Sequence, residues 1–194
     1  ISYNELLTRS LATAARLIEE GIKEGDHVGI ISEKKPEALI ALTGIMAAGG
    51  VAFTIDYNQP AGHIEYVLDL TKPAKLLCAE SLREKLQTVP GIPDEKVLCL
   101  RPDTGLQPAG KNISIPKPAA DRPAYLNFTS GTTGTPKAAI TTHANIFWNT
   151  VSSIEALQIT ADDVHLCMFP IYGHPHEIIA RPFLLGGTMV LVES

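Results

Sequence analysis

Residues 127–137 read NFTSGTTGTPK, with four threonines, one serine, two glycines and one lysine in eleven positions. Gly131 and Gly134 let the chain turn tightly and approach a ligand with no Cβ in the way. Thr129, Ser130, Thr132, Thr133 and Thr135 supply hydroxyl and amide donors, and Lys137 places a cation at the far end. Donors converging on a compact multiple anion, with one positive charge beside them, suit a polyphosphate. Each charge-assisted hydrogen bond there contributes about 1.5–3 kcal/mol. The spacing is not that of the Walker loop, which needs four residues between its glycines and then Gly-Lys-Ser/Thr. A polar surface loop is the competing reading; the apolar run AYLNF (124–128) just before, and the lysine at the end, favour the anion site.

A second stretch, FPIYGHPHE (169–177), joins an apolar run to a helical one. His174, His176 and Glu177 are metal-ligand types, but Pro175 between the histidines fits neither strand nor helix presentation. The alternatives are a pocket wall and ordinary loop histidines. Tyr172 either lines the same pocket or packs in a core. His27, His63 and His165 carry no signal beyond surface or local packing, and EKKPE (33–37) reads as a solvated turn. Trp148 lies beside an apolar helix face and reads as packing. Cys78, Cys99 and Cys167 are far apart and odd in number, with neither zinc spacing nor a disulfide framework.

Strands alternating with helices must position these stretches. A helix over about 3–20 opens on a Ser2–Glu5 capping box, carries Leu6, Leu7, Leu11, Ala14, Leu17 and Ile18 at helical spacing, and stops at Gly21. HVGIIS (27–32) reads as a strand, and Pro36 opens the next helix. VAFTID (51–56) is a strand; Asn58 then caps a helix with Pro60 near its first turn. KLLCAE (75–80) is a strand, Ser81 with Glu84 repeats the capping-box pattern, and KVLCL (96–100) closes the series. Residues 102–123 hold a cluster of prolines and read as a linker. The pattern restarts with a strand at 124–128 and a helix over about 143–157, where His143 belongs to the start and Thr142 can cap. Strands at 163–169 and 188–192 flank a short helix at 177–185. The class is α/β, with parallel sheets flanked by helices. The expected division is a first sheet unit at 1–123 and a second, truncated one at 124–194.

The chain has 194 residues, 45% hydrophobic and 19% charged, with 16 Lys and Arg against 21 Asp and Glu, a net charge of −5. That balance excludes a basic nucleic-acid platform and an anionic-membrane surface. Residues 38–55 carry no charge, near the minimum for a membrane span, but the Gly49-Gly50 break reads as a buried helix followed by a buried strand. With no signal peptide pattern, a cytoplasmic protein is expected. The helix start at residue 2 without an initiator Met, and the strand at the end, read as a piece of a larger protein.

NFTSGTTGTPK closely resembles the phosphate-loop signature of the adenylate-forming enzymes, which include nonribosomal peptide synthetase adenylation domains, acyl- and aryl-CoA ligases and luciferase. ISYNEL (1–6), MAAGGVAFTIDYNQP (46–60) and AAITTHANI (138–146) resemble further motifs in the same order, so the resemblance spans the chain and is closest to the N-terminal part of a peptide synthetase adenylation domain. Ala138 stands where the family usually has Gly, Ala144 where it often has Arg, and Thr54 where Pro is frequent. The resemblance implies ATP-dependent activation of a small carboxylic acid as acyl-AMP. A carrier-protein phosphopantetheine or coenzyme A then takes up the acyl group. It places Thr129, Ser130, Gly131, Thr132, Thr133, Gly134 and Lys137 on ATP, and Tyr172 and His174 beside the acid. His174 falls near the position where amino-acid-activating domains carry an aspartate for the substrate amine. The magnesium ligand is expected in chain beyond residue 194, and the catalytic lysine in a small C-terminal lobe further on. A freestanding acyl- or aryl-CoA ligase and a non-catalytic nucleotide-binding module are the alternatives.

Overall fold

The computed structural model describes residues 1–101, 114–129, 137–173 and 175–192. Helix α1 (Tyr3–Glu19) starts at the capping box: Glu5 N–H donates to Ser2 Oγ (3.3 Å) and Ser2 N–H to Glu5 Oε2 (2.8 Å). Its buried stripe is Leu6, Ser10, Thr13, Ala14 and Leu17. Leu7 and Leu11, expected on that face, are exposed. The reason is the crossing with α2 (Pro36–Ala47) at Gly44, where an added Cβ would lie 2.7 Å from Thr13 Cβ. So close an approach selects small side chains, and the Ser10 and Thr43 hydroxyls share a 2.6 Å hydrogen bond across it.

The main sheet contains β1 (His27–Ile31), β2 (Val51–Thr54), β3 (Lys75–Ala79), β4 (Val97–Leu100), β5 (Pro123–Thr129) and β6 (Lys137–Thr142), in the order β4-β3-β1-β2-β5-β6. All neighbours are parallel except β6, which runs antiparallel to β5. The central strands are apolar on both faces because helices cover both, as parallel sheets require. Val28, Ile30, Ala52 and Leu77 pack under α1 and α2. Val51, Phe53, Leu76 and Cys78 pack on the other face against Ile64 and Val67 of α3 (Ala61–Thr71) and Leu86 of α4 (Arg83–Gln87). Gly29 keeps β1 in contact there, since a Cβ would meet Leu76 Cδ2 at 2.5 Å and Phe53 Cζ at 2.9 Å. After α5 (His143–Leu157), β7 (Val164–Cys167) and β8 (Thr188–Leu191) form a separate parallel pair around α6 (Pro175–Leu185). Tyr3 ties that pair to α1: its hydroxyl lies 2.7 Å from the Pro182 carbonyl oxygen and 2.6 Å from that of Gly187.

Several expectations change. The sheet does not break at 123, because β5 pairs with β2 and β6 extends the same sheet; only β7 and β8 stand apart. Strand β6 has no counterpart in the sequence reading, where KAAITT follows the hydroxyl-rich loop without a strand pattern. Asn58 does not cap α3, whose N-cap is Pro60; the Asn58 N–H instead donates to Asp56 Oδ1 (2.9 Å). Ser81 caps nothing, because its hydroxyl donates to the Glu33 carboxylate (3.0 Å). The 33–37 charge run is not a solvated turn: Lys34 is only 6% exposed and Glu37 is buried. Trp148 is 64% exposed and stands edge-on to Phe147, outside any core. Of the 102–123 linker, residues 102–113 lie outside the described residues. The following stretch is tied down, with the Ala144 N–H donating to the Ala120 carbonyl (2.7 Å) and His143 N–H to that of Arg122 (3.1 Å). No described helix is long and apolar enough to cross a membrane, and residues 38–55 divide between α2 and β2.

Candidate functional site

Strand β5 is the scaffold for the hydroxyl-rich segment. It lies beside β2 with Ala52 opposite Tyr125 and Phe53 opposite Leu126. Because the two strands are parallel, both carboxyl ends point to one edge of the sheet, where α/β folds hold ligands. The β6 register places Thr129 directly opposite Lys137. Residues 130–136 therefore join two positions about 4.5–5.5 Å apart, the separation of facing antiparallel residues. The base of this hairpin is anchored: Phe128 and Ala138 face each other in register, both pack on the lower core, and Phe128 meets Phe53 edge-on at 6.1 Å. Ala138 is partly buried and packs against this core. Lys137 is exposed at the mouth. Ser130, Gly131, Thr132, Thr133 and Gly134 lie outside the described residues.

Strand β6 leads without a spacer into α5. Thr142 is the N-cap, accepting from the Asn145 N–H (3.1 Å), while Asn145 Oδ1 accepts from the Thr142 N–H (3.0 Å). His143, the first helical residue, is held below the usual imidazole range by burial. It forms part of the wall of an apolar cavity of about 390 Å³ with Tyr125, Phe147 and Phe183. Neither Tyr172 nor Lys137 belongs to that wall.

The second chemistry-bearing stretch crosses the same edge. Ile171 is buried, and its carbonyl accepts from the hydroxyl of Thr54, the last residue of β2 (3.4 Å). One residue on, Tyr172 has its phenol pushed up, first by burial and then by the charges of Asp56 and Tyr57, with a hydrogen bond to Asn58 acting the other way. Lys34 donates to the carbonyls of Met168 (2.8 Å) and Phe169 (3.1 Å). His174 lies outside the described residues. The structure thus brings Thr129, Lys137 and Tyr172 to the carboxyl edge of β2 and β5. Sequence reasoning did not select Lys34 and Thr54, which hold the backbone just before Tyr172, or Asp56 and Asn58, of which Asn58 hydrogen-bonds the phenol and Asp56 places a charge beside it. No sequence signal distinguishes Lys34 from its neighbours in a charged run; only the fold shows where it points. Among the described residues no group of three His, Cys, Asp or Glu side chains is placed to hold a metal ion. The switch point between β1 and β3, where connections reverse direction, is bridged by the Ser81–Glu33 hydrogen bond.

A mostly parallel sheet covered by helices, with β5 and β6 pairing at its carboxyl edge, defines an open α/β domain of the kind that holds ligands at that edge. The chain belongs to the AMP-binding enzyme family, whose model matches residues 1–194. It is 30% identical over 198 residues to bacitracin synthase 1 of Bacillus licheniformis, covering 100% of this chain and 4% of that protein. It is 31% identical over 163 residues to gramicidin S synthase 1 of Brevibacillus brevis, covering 84% of this chain and 15% of that one. Among solved structures, ATP-bound MatB from Rhodopseudomonas palustris superposes with a TM-score of 0.83 at 28% identity, over 99% of this chain and 40% of its own. The nonribosomal peptide synthetase FmoA3 gives 0.84 at 27% identity, over 97% of this chain and 19% of its own. The chain therefore spans only a small part of these synthetases and less than half of these two structures.

Proposed function

We propose that this chain is the N-terminal part of an ATP-dependent adenylating enzyme that activates a carboxylic acid for transfer to a carrier-protein thiol. A carboxylate oxygen of the acid attacks the α-phosphorus of ATP, the bond to the β-phosphate oxygen breaks, and pyrophosphate leaves. The thiol then attacks the acyl carbon and AMP departs. In this reading Thr129, Ser130, Gly131, Thr132, Thr133 and Gly134 donate to the β- and γ-phosphates. Lys137 neutralises charge as it gathers on the leaving pyrophosphate. Tyr172 and His174 border the acid. The magnesium ligand and the catalytic lysine, in the same reading, belong to chain beyond these 194 residues.

The observation that carries the proposal is the register setting Thr129 against Lys137 at the carboxyl edge of the sheet, so that one short hairpin carries both the hydroxyl residues and the cation. The identity to peptide synthetases favours a carrier protein as acceptor. A coenzyme A ligase is the second reading, favoured by a histidine at 174 where an amino-acid-activating domain has an acid. The test is ATP–pyrophosphate exchange by the full-length polypeptide with a panel of carboxylic acids, followed by acyl transfer to carrier protein or to coenzyme A. Lys137→Ala removes one charge-assisted contact and is expected to lower kcat/KM by about tenfold to a hundredfold. Unchanged exchange removes Lys137 from the mechanism, and no exchange with any acid leaves a nucleotide-binding module.

A further inference from the structure

Lys34 is the least expected group in the molecule. The residue is only 6% exposed, three residues beyond the end of β1, and has no ion pair among the described residues. Its two acceptors are neutral backbone carbonyls, those of Met168 and Phe169, 134 and 135 residues away in sequence. The side chains of those two residues are exposed, so the lysine grips their backbone and not an apolar contact. Covering a charged side chain has a desolvation cost that two neutral acceptors offset only in part, so an apolar residue of similar length would serve packing at least as well. What an apolar residue cannot do is fix carbonyl directions.

The carbonyls in question open the segment that leads to Tyr172. Along it, Lys34 holds 168 and 169, Thr54 holds 171 with a longer bond, and the Gly173 N–H turns back onto the Pro170 carbonyl (3.1 Å). We propose that Lys34, assisted by Thr54, is a positioning residue for the acid-binding side of the site. It clamps the backbone of 168–171 to the carboxyl edge of the main sheet and so fixes where Tyr172 stands. This inference rests on the reading of Tyr172 as a neighbour of the acid.

The experiment uses the full-length polypeptide with Lys34→Met, Lys34→Arg and Tyr172→Ala variants. The acids tested are the proteinogenic amino acids, benzoate and octanoate. Backbone amide exchange at 171–173 is expected to quicken in Lys34→Met and to return in Lys34→Arg. In pyrophosphate exchange, Lys34→Met is expected to raise the KM for the acid by about tenfold to a hundredfold, as a displaced binding group does. The KM for ATP and the thermal midpoint should stay within twofold and about 2 °C. Unchanged amide exchange overturns the clamp. So does an equal loss for acid and ATP together with a lower thermal midpoint, which marks a purely structural lysine. If Tyr172→Ala raises the acid KM and Lys34→Met does not, the clamp fails and the pocket reading stands. If neither does, or no acid is exchanged, the pocket reading fails, and the clamp's role in acid binding with it.

Discussion

Adding one methyl group at Gly44 sets two well-known effects against each other. Glycine in the middle of a helix costs about 0.8–1.0 kcal/mol relative to alanine, so propensity alone has Gly44→Ala stabilise α2. The structure gives the opposite sign. The new Cβ would lie 2.7 Å from both Cβ and Cγ2 of Thr13 and 3.0 Å from the Ser10 carbonyl oxygen. Carbon atoms rest at about 3.5–4.0 Å, so α1 and α2 must part by nearly an ångström. None of the obstacles is the loose end of a flexible side chain: one is backbone and the others are the root of a fully buried threonine. Overpacking of this kind costs about 1–3 kcal/mol, and parting the helices also strains the Ser10–Thr43 hydrogen bond. The net expectation is a loss of about 1–2 kcal/mol, or roughly 2–8 °C in thermal midpoint for a chain of this size. Gly62→Ala is the matched control, in the first turn of α3 with nothing within 4 Å of the added Cβ. It is expected to be neutral or to stabilise by up to about 1 kcal/mol. Thermal unfolding followed by far-UV circular dichroism reads both. A Gly44→Ala midpoint at or above that of the parent refutes the argument that the α1–α2 crossing, not helix propensity, fixes glycine at 44.

Two further outcomes test other joints of the same frame. Thr142→Ala removes the hydroxyl that accepts from the Asn145 N–H at the start of α5, leaving the Thr142 N–H bond to Asn145 Oδ1 in place; it is expected to cost about 1 kcal/mol in denaturant unfolding. Thr142→Ser should recover most of that loss, and a neutral alanine would place the helix start elsewhere. Glu20 takes a hydrogen bond from Lys75 (2.8 Å) and one from Arg16 (2.6 Å), and the Lys75 contact first, then Arg16, holds its carboxyl below the usual range. A carboxyl depressed in the folded state stabilises it above the unfolded pKa and loses that contribution as pH falls through the folded value. Glu20→Gln is therefore expected to cost about 1 kcal/mol at neutral pH. The gap to the parent should narrow as pH drops below about 4.5, and a gap independent of pH refutes the assignment.

Much of the frame is legible in the sequence because its signals are local. The Ser2–Glu5 box, the proline opening α2 and the apolar runs of β1 to β4 each specify an element within a few residues. The Thr142–Asn145 cap lies in the same class, and α5 runs over 143–157 as the periodicity predicts. Failures fall where a distant partner decides. Ser81 has a capping-box neighbour at Glu84, yet its hydroxyl goes to Glu33 across the sheet edge, a longer-range competitor that local pattern cannot reveal. Strand β6 has mostly short and β-branched residues and no alternation; it exists because β5 offers an edge to pair with. Where α2 crosses, the buried stripe of α1 runs through Ser10 and Thr13 and leaves Leu7 and Leu11 exposed, because α2 comes too close there for larger groups.

The candidate site divides along the same line. The hydroxyl-rich hairpin is a continuous stretch, so its residue types declare themselves in order. The other wall is assembled from residues 34, 54, 56, 58 and 172, contributed by separate segments. These meet only because parallel strands deliver all their carboxyl ends to one edge, and because the chain leaving β7 returns to the ends of β1 and β2 while far from them in sequence. A buried lysine reads as one more surface charge until the carbonyls it serves are located. The sheet order is therefore part of the chemistry: it determines which backbone the Lys34 ammonium reaches. The same topology carries Thr129 and Tyr172 to a common edge, so that in the proposed reaction a nucleotide held by one segment faces an acid held by another.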